Sequence, residues 1–238
     1  MEKFTLCIDL DDTLIPNAYL YQVANWKCGA ILSDAIAPFS MSAVDILRRE
    51  DVIDIENSKR FGFSQRRFPY SWVQLYREIA RELQLPVVPS VRRALYHAAC
   101  GFREGPFEVF PHVHETLGYL RAEGHRLVLI TAGDCKLQKK KIMCSGVLRY
   151  FHDVHIVGMD KRPILQDELR LSLERVVMVG DSKKSDIAPA IEVGVIPVWL
   201  ARGVQWSFAQ QDVDHDKYHT INHFRELPAL LSRIAGNP

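Results

Sequence analysis

The stretch Phe4-Thr-Leu-Cys-Ile-Asp-Leu-Asp-Asp-Thr-Leu-Ile15 sets the terms on which the rest of the chain is read. Its apolar half, Phe4 to Ile8, predicts a strand buried on both faces, as in a parallel sheet. That strand delivers Asp9, Asp11, Asp12 and Thr13 into the turn that follows. Carboxylates crowded at the end of a buried strand repel one another and resist leaving water. They are tolerable together only where a cation, hydrogen bonds or protonation offsets the charge. Ligands of open α/β sheets bind beyond the carboxyl ends of the strands, so the cluster marks a candidate site.

Beyond Pro16 and Asn17 the texture changes. Residues 18–104 carry helical patterns: Ala18 to Ile36, Met41 to Ile53 with Ser42 as cap, Trp72 to Leu83, and Val91 to Ala99 with Ser90 as N-cap. From Gly105 strands alternate with helices. Strands are predicted at Arg126–Thr131, Asp153–Val157, Arg175–Gly180, Val195–Leu200 and Tyr218–Ile221, and Pro197 suggests that the fourth of these is an edge or irregular strand. The helices between and after them are Pro111–Ala122, Asp134–Ser145, Ile164–Leu173, Ser185–Val193 and His223–Ile234. Such alternation implies right-handed βαβ crossovers and a parallel sheet covered on both faces. The helical insert begins just after the acids and is expected at the carboxyl end of the sheet.

The bulk numbers remove several function classes. With 238 residues, 47% hydrophobic and 25% charged, the chain is an ordinary globular sequence able to bury a sizeable core. A formal net charge of +1 argues against wholesale nucleic-acid binding. The five cysteines are scattered and odd in number, with no CxxC pair, as expected of reduced thiols in a cytoplasmic protein. No apolar run approaches the roughly 20 residues of a membrane span, and with a charged strand end so near Met1 no secretion signal is expected.

Four features fall at the ends of predicted strands: Asp9-x-Asp11-x-Thr13; Thr131, closing Arg126–Thr131 and followed by Ala132-Gly133; Lys161 in Gly-Met-Asp-Lys-Arg-Pro; and Gly180-Asp181-x4-Asp186. In that order they resemble motifs I to IV of the haloacid dehalogenase-like (HAD) hydrolase superfamily. The resemblance covers residues 1–16 and about 105–205. It implies a Rossmann-like core at 1–16 and 105–238, with helices on both faces of the sheet. Residues 17–104 would form a mostly α-helical cap of the C1 type, inserted after the first strand.

The chemistry the resemblance implies is phosphoryl transfer. Asp9 would be the nucleophile and Asp11 the general acid and base. Leu10, Asp11, Thr131, Ala132 and Lys161 would contact the phosphoryl group. Asp9, Asp11 (through its carbonyl), Asp181 and Asp186 would hold Mg2+. An acid at position 11 favours phosphate monoesters, because halide departs without a proton. The expected activity is therefore that of a phosphatase acting on a small phosphorylated metabolite, with no nucleic acid and no membrane involved. The alternatives are a phosphomutase or 2-haloacid dehalogenase on the same scaffold, and a non-enzymatic binder of a phosphorylated ligand. The run Lys139-Lys140-Lys141 is a rival source of the motif III lysine, but it lies within a helix, which favours Lys161. The cap has no motif that names the substrate.

Other features read as structural. Asp12 and Thr13 suit turn and capping roles. His112, His114, His215, His219 and His223 lack the companions of a metal site. Asp212-x-Asp214-x-Asp216 opens like an EF-hand loop but then places Lys217 where glycine belongs, so it reads as a solvated turn. In the insert, Trp26, Trp72, Phe61, Phe63 and Phe68 are expected in the core. Arg60, Arg66, Arg67, Arg92 and Arg93 are candidates for attracting an anionic substrate.

Overall fold

The computed structural model describes residues 2–39, 41–202, 206 and 211–236. The outer limits of the expected core, at Met1 and Pro238, lie outside the described residues, as does Ser40 within the expected insert. The chain divides into two compact units, Met1–Ala18 with Phe107–Pro238, and Tyr19–Pro106.

The first unit is built on six parallel strands, β1 (Phe4–Ile8), β2 (Arg126–Ala132), β3 (Asp153–Val157), β4 (Arg175–Gly180), β5 (Ile196–Leu200) and β6 (His219–Ile221), in the order β3-β2-β1-β4-β5-β6. The acid-bearing strand is therefore central, with β2 on one side and β4 on the other. Side-chain alternation explains why it is buried throughout. Phe4, Leu6 and Ile8 join Leu127, Leu129, Val177 and Val179 in one core layer, beneath Val113, Leu117 and Leu120 and beside Leu227, Leu230 and Leu231. Cys7 turns the other way, toward Val128, Ile130, Val176, Met178, Leu165 and Ala190. Burying such side chains contributes roughly 1.5–3 kcal/mol each, so two filled faces fix the register of the strand.

The two layers are covered by α5 (Val113–Ala122), α6 (Cys135–Ser145), α7 (Arg162–Leu171), α8 (Ala188–Val193) and α9 (Leu227–Ile234). Helix α6 is well punctuated: Asp134 accepts from the N–H groups of Lys136 and Leu137, and Gly146 ends it in the left-handed conformation at φ 68°.

The expectation of an edge position for the strand containing Pro197 is corrected, because β5 lies between β4 and β6. The proline is tolerated because β6 is only three residues long and its register begins at Val198, so Pro197 lies outside that ladder.

The second unit is helical. It contains α1, whose full range Asn17–Ala35 begins in the first unit, then α2 (Ala43–Phe61), α3 (Arg67–Glu82) and α4 (Pro89–Ala99). Ser42 caps α2 as expected, accepting from Asp45 N–H, but the helix runs on past Ile53 to Phe61. Its second half hid from the periodicity because its buried face is polar. Asp54, Asn57 and Ser58 meet Arg67 and Ser71 of α3, and Arg67 donates to both the carboxylate and the carbonyl of Asp54. Arg67 is thus a buried structural cation rather than an exposed anchor for an anion. Helix α4 starts at Pro89, not after Ser90, since proline at N1 has φ already set and no N–H to satisfy. Trp72 and Phe68 are core residues, whereas Trp26 and Phe61 are exposed.

Asp214 accepts from Asp216 N–H in a short turn at His215–Lys217. No helix among the described residues is long and apolar enough to cross a membrane.

Candidate active site

The register of the sheet brings distant residues to one level. Ile8 pairs with Leu129 on one side and Val179 on the other, so the turn after β1 faces Thr131 of β2 and the loop after β4. Asp9 continues the strand geometry by one residue, its N–H donating to Val179 O at 3.0 Å. The chain then turns sharply. Asp12 adopts φ 58°, a left-handed conformation that aspartate tolerates better than most residues. Its Oδ1 accepts from Ala18 N–H at 2.7 Å, which caps the start of α1. Two guanidinium donors of Arg202 fix the same turn through the carbonyls of Asp12 and Thr13, each at 3.0 Å, with Arg202 stacked 3.8 Å over Phe110.

The segment after β4 departs from the expected α-helix at Ser185–Val193. Lys183–Ile187 forms a wide π-type turn, and only Ala188–Val193 is α-helical. The hydroxyl of Ser182 accepts from Ser185 N–H, its carbonyl accepts from Asp186 N–H, and its own N–H donates to Asp186 Oδ2. This extra width folds Asp186 back over Gly180. Single π turns recur at functional sites for this kind of local redirection.

The result is a buried group. Asp9, Asp181 and Asp186 each offer a carboxylate oxygen, and these oxygens lie within 4.8 Å of one another. Lys161, the residue just before α7, is 1% exposed. It donates to Asp9 Oδ1 and, at 2.6 Å, to Asp186 Oδ1. Thr13 Oγ1 accepts from Asp181 N–H at 3.1 Å and sits within hydrogen-bond reach of Asp9 Oδ2 and Asp181 Oδ1. Burial pushes the Asp9 carboxyl up to about 7, opposed by Lys161 and reinforced by Asp186 and Asp11. Burial, with Asp12, Asp186 and Asp9 nearby, holds Asp181 well above the usual carboxylate range. For Lys161 burial works against the charge, yet Asp186 and Asp9 outweigh it and keep the ammonium above its ordinary range. Three buried carboxylates facing one ammonium leave an excess of negative charge. That is a donor set suited to a hard divalent cation.

Asp11 takes a different place. Its carboxylate lies outside the trio and is held by α6, with Lys141 Nζ at 2.9 and 2.7 Å from its two oxygens and Gln138 Nε2 at 3.0 Å. Gln138 also reaches Thr131 Oγ1 at 2.6 Å and Ala132 O at 3.1 Å. Lys161 and Lys141 thus both serve acids of the first loop, the former Asp9 and the latter Asp11. Sequence reasoning weighed Lys141 only as a rival for Lys161 and did not single out Gln138 or Arg202. The one available signal was that Gln138 and Lys141, three apart on α6, share a helix face.

A family model described as haloacid dehalogenase-like hydrolase matches residues 5–194, and a related HAD-hydrolase-like model matches 162–227. The chain is 25% identical over 236 residues to glyceraldehyde 3-phosphate phosphatase of Methanopyrus kandleri, covering 95% of this chain and 96% of that one. It is 27% identical over 241 residues to the protein of the same name from Pyrococcus furiosus, covering 96% and 93%. A solved haloacid dehalogenase-like family hydrolase from Xanthomonas campestris superposes with a TM-score of 0.77 at 21% identity, over 99% of this chain and 92% of that one. The chain is an enzyme that belongs to the haloacid dehalogenase-like hydrolase family.

Proposed function

We propose that this hydrolase is a Mg2+-dependent phosphatase that cleaves a small phosphate monoester through an aspartyl-phosphate on Asp9. The observation that carries the reading is the convergence of Asp9, Asp181 and Asp186 around Lys161 at the carboxyl end of the sheet. When bound by Asp9, Asp181, Asp186 and the Asp11 carbonyl, Mg2+ supplies the positive charge that lets a phosphoryl dianion approach carboxylates. Asp9 attacks phosphorus and forms the acyl phosphate, while Asp11 gives a proton to the departing oxygen. Asp11 then takes a proton from water, which attacks phosphorus and releases inorganic phosphate and the free Asp9 carboxylate. Lys161 holds Asp9 in place and offsets charge that gathers on the phosphoryl oxygens. Thr131, with the main chain at Leu10 and Ala132, binds those oxygens.

The residues at 17–104 serve in this reading as the cap that selects the leaving group. The names of the archaeal relatives make glyceraldehyde 3-phosphate the first ester to try. An intracellular, cytoplasmic setting accords with five unpaired cysteines. The test is release of inorganic phosphate from glyceraldehyde 3-phosphate and from p-nitrophenyl phosphate, with Mg2+ and with chelator. Wild type should turn over only with the metal and become transiently phosphorylated. Asp9→Asn should do neither, and full activity in that variant would refute the reading.

A further inference from the structure

A buried lysine and a buried glutamine on α6 converge on Asp11 and Thr131 in a way that the family motifs do not account for. Lys141 is 2% exposed, and its three N–H donors are all spent: one on each oxygen of Asp11 and one on Asn17 Oδ1 at 2.8 Å. Gln138, also buried, has two amide protons shared among three acceptors, namely Asp11 Oδ2, Thr131 Oγ1 and Ala132 O. Its own Oε1 is buried without a hydrogen-bond partner among the described residues, an arrangement that costs stability and therefore calls for a reason. The glutamine also restricts Gly133, two residues before α6. A Cβ on Gly133 would come 3.1 Å from three atoms of the Gln138 side chain, at a φ of 154° that disfavours any side chain.

Together these contacts do one thing. They orient the Asp11 carboxyl relative to Thr131 and to the turn after β1, and they fix it apart from the Asp9, Asp181 and Asp186 trio. A general acid works only if its proton lies within hydrogen-bond reach of the departing oxygen, so its orientation controls its share of the rate. We infer that Lys141 and Gln138 are positioning residues that hold Asp11 for proton transfer to the leaving group. The inference rests on the phosphatase reading above.

A purely structural role and a positioning role differ in one measurable way. Proton donation matters much for a basic leaving group and little for a weakly basic one. Phenyl phosphate and p-nitrophenyl phosphate share a ring, but phenolate is the more basic by far. Their kcat/KM values report only steps up to departure of the phenol, before water enters. In the intact enzyme with Mg2+, Lys141→Met should lower kcat/KM for phenyl phosphate by on the order of 10²-fold and for p-nitrophenyl phosphate by no more than about threefold. Asp11→Asn, which removes the acid itself, should lower kcat/KM for phenyl phosphate by more than for p-nitrophenyl phosphate. Gln138→Leu should show this difference more weakly, and because it leaves the contact of Lys141 with Asp11 in place it carries the test if Lys141→Met does not fold. An equal loss for both esters, or no loss for either, would overturn the assignment. Wild type inert toward both esters would overturn the phosphatase reading itself, and the assignment with it.

Discussion

A methyl group on Gly180 would stand 2.2 Å from Oδ2 of Asp186, so the acid occupies the space a side chain at 180 would fill. Gly180 closes β4, and Asp186 is held at Oδ1 by Lys161 and at Oδ2, the oxygen over Gly180, by Ser182 N–H. The short aspartate side chain cannot withdraw without breaking one of those bonds. Gly180→Ala should therefore leave the sheet folded but displace Asp186. Misplacing a site group by about 1 Å can cost ~10²-fold in rate, and that is the expected loss of phosphatase kcat/KM, with an unchanged circular dichroism spectrum. Activity within a factor of a few of wild type would contradict the geometry.

The charge imbalance at the site has a consequence readable without turnover. Three buried acids share one ammonium, so a divalent cation that binds them should favour the folded state by mass action. Mg2+ should raise the melting temperature of the wild-type chain. The increase should shrink in Asp181→Asn and in Asp186→Asn. Equal increases in all three proteins would mean that the cation acts elsewhere.

Lys161 should matter for stability as well as for rate. Removing one partner of a buried ionic group leaves the others uncompensated, typically at a cost of about 3–5 kcal/mol. Lys161→Met leaves Asp9 and Asp186 buried without their ammonium, so urea unfolding in chelator should show a loss of about that size. Asp9→Asn and Asp186→Asn remove part of the excess charge and should lose much less, or gain. A small loss for Lys161→Met would mean that water reaches these acids.

The helical unit carries its own titration. Glu50 is buried with one carboxylate oxygen unpaired among the described residues, and burial together with Asp54 raises it well above the usual range, against the pull of Arg67. For an acid raised in the folded state, the fold holds its proton more tightly than the unfolded chain does. Stability from this group is then greatest at acid pH and falls as pH rises from the ordinary carboxylate range toward the raised value. Glu50→Gln should raise the melting temperature near pH 8 more than near pH 4, checked by melting curves across that interval. A benefit independent of pH would show that packing, not the charge, is responsible.

Much of the architecture could be read from the chain before its coordinates. Runs such as Phe4–Ile8 and Arg175–Gly180 are apolar at most positions, short and followed by turn residues, a pattern that fits a strand buried on both faces. Glycine and proline punctuation located most of the helices between them. What misled was local: a polar interior, as in the second half of α2, and a proline whose missing donor cost nothing because the neighbouring strand stops short of it.

At the candidate site the division is sharper. Position at predicted strand ends, together with the resemblance to the family's four motifs, marked Asp9, Asp11, Thr131, Lys161, Asp181 and Asp186. Which lysine serves which acid could not be read there, since that depends on how α6 and the turn before α7 lie over the sheet. Only packing puts Lys161 between Asp9 and Asp186, Lys141 on Asp11, and Gln138 between Asp11 and Thr131. The physical reason is range: hydrophobic alternation and turn chemistry act between near neighbours in the chain, whereas charge pairing in a dry interior is decided by distances that exist only once the chain has folded.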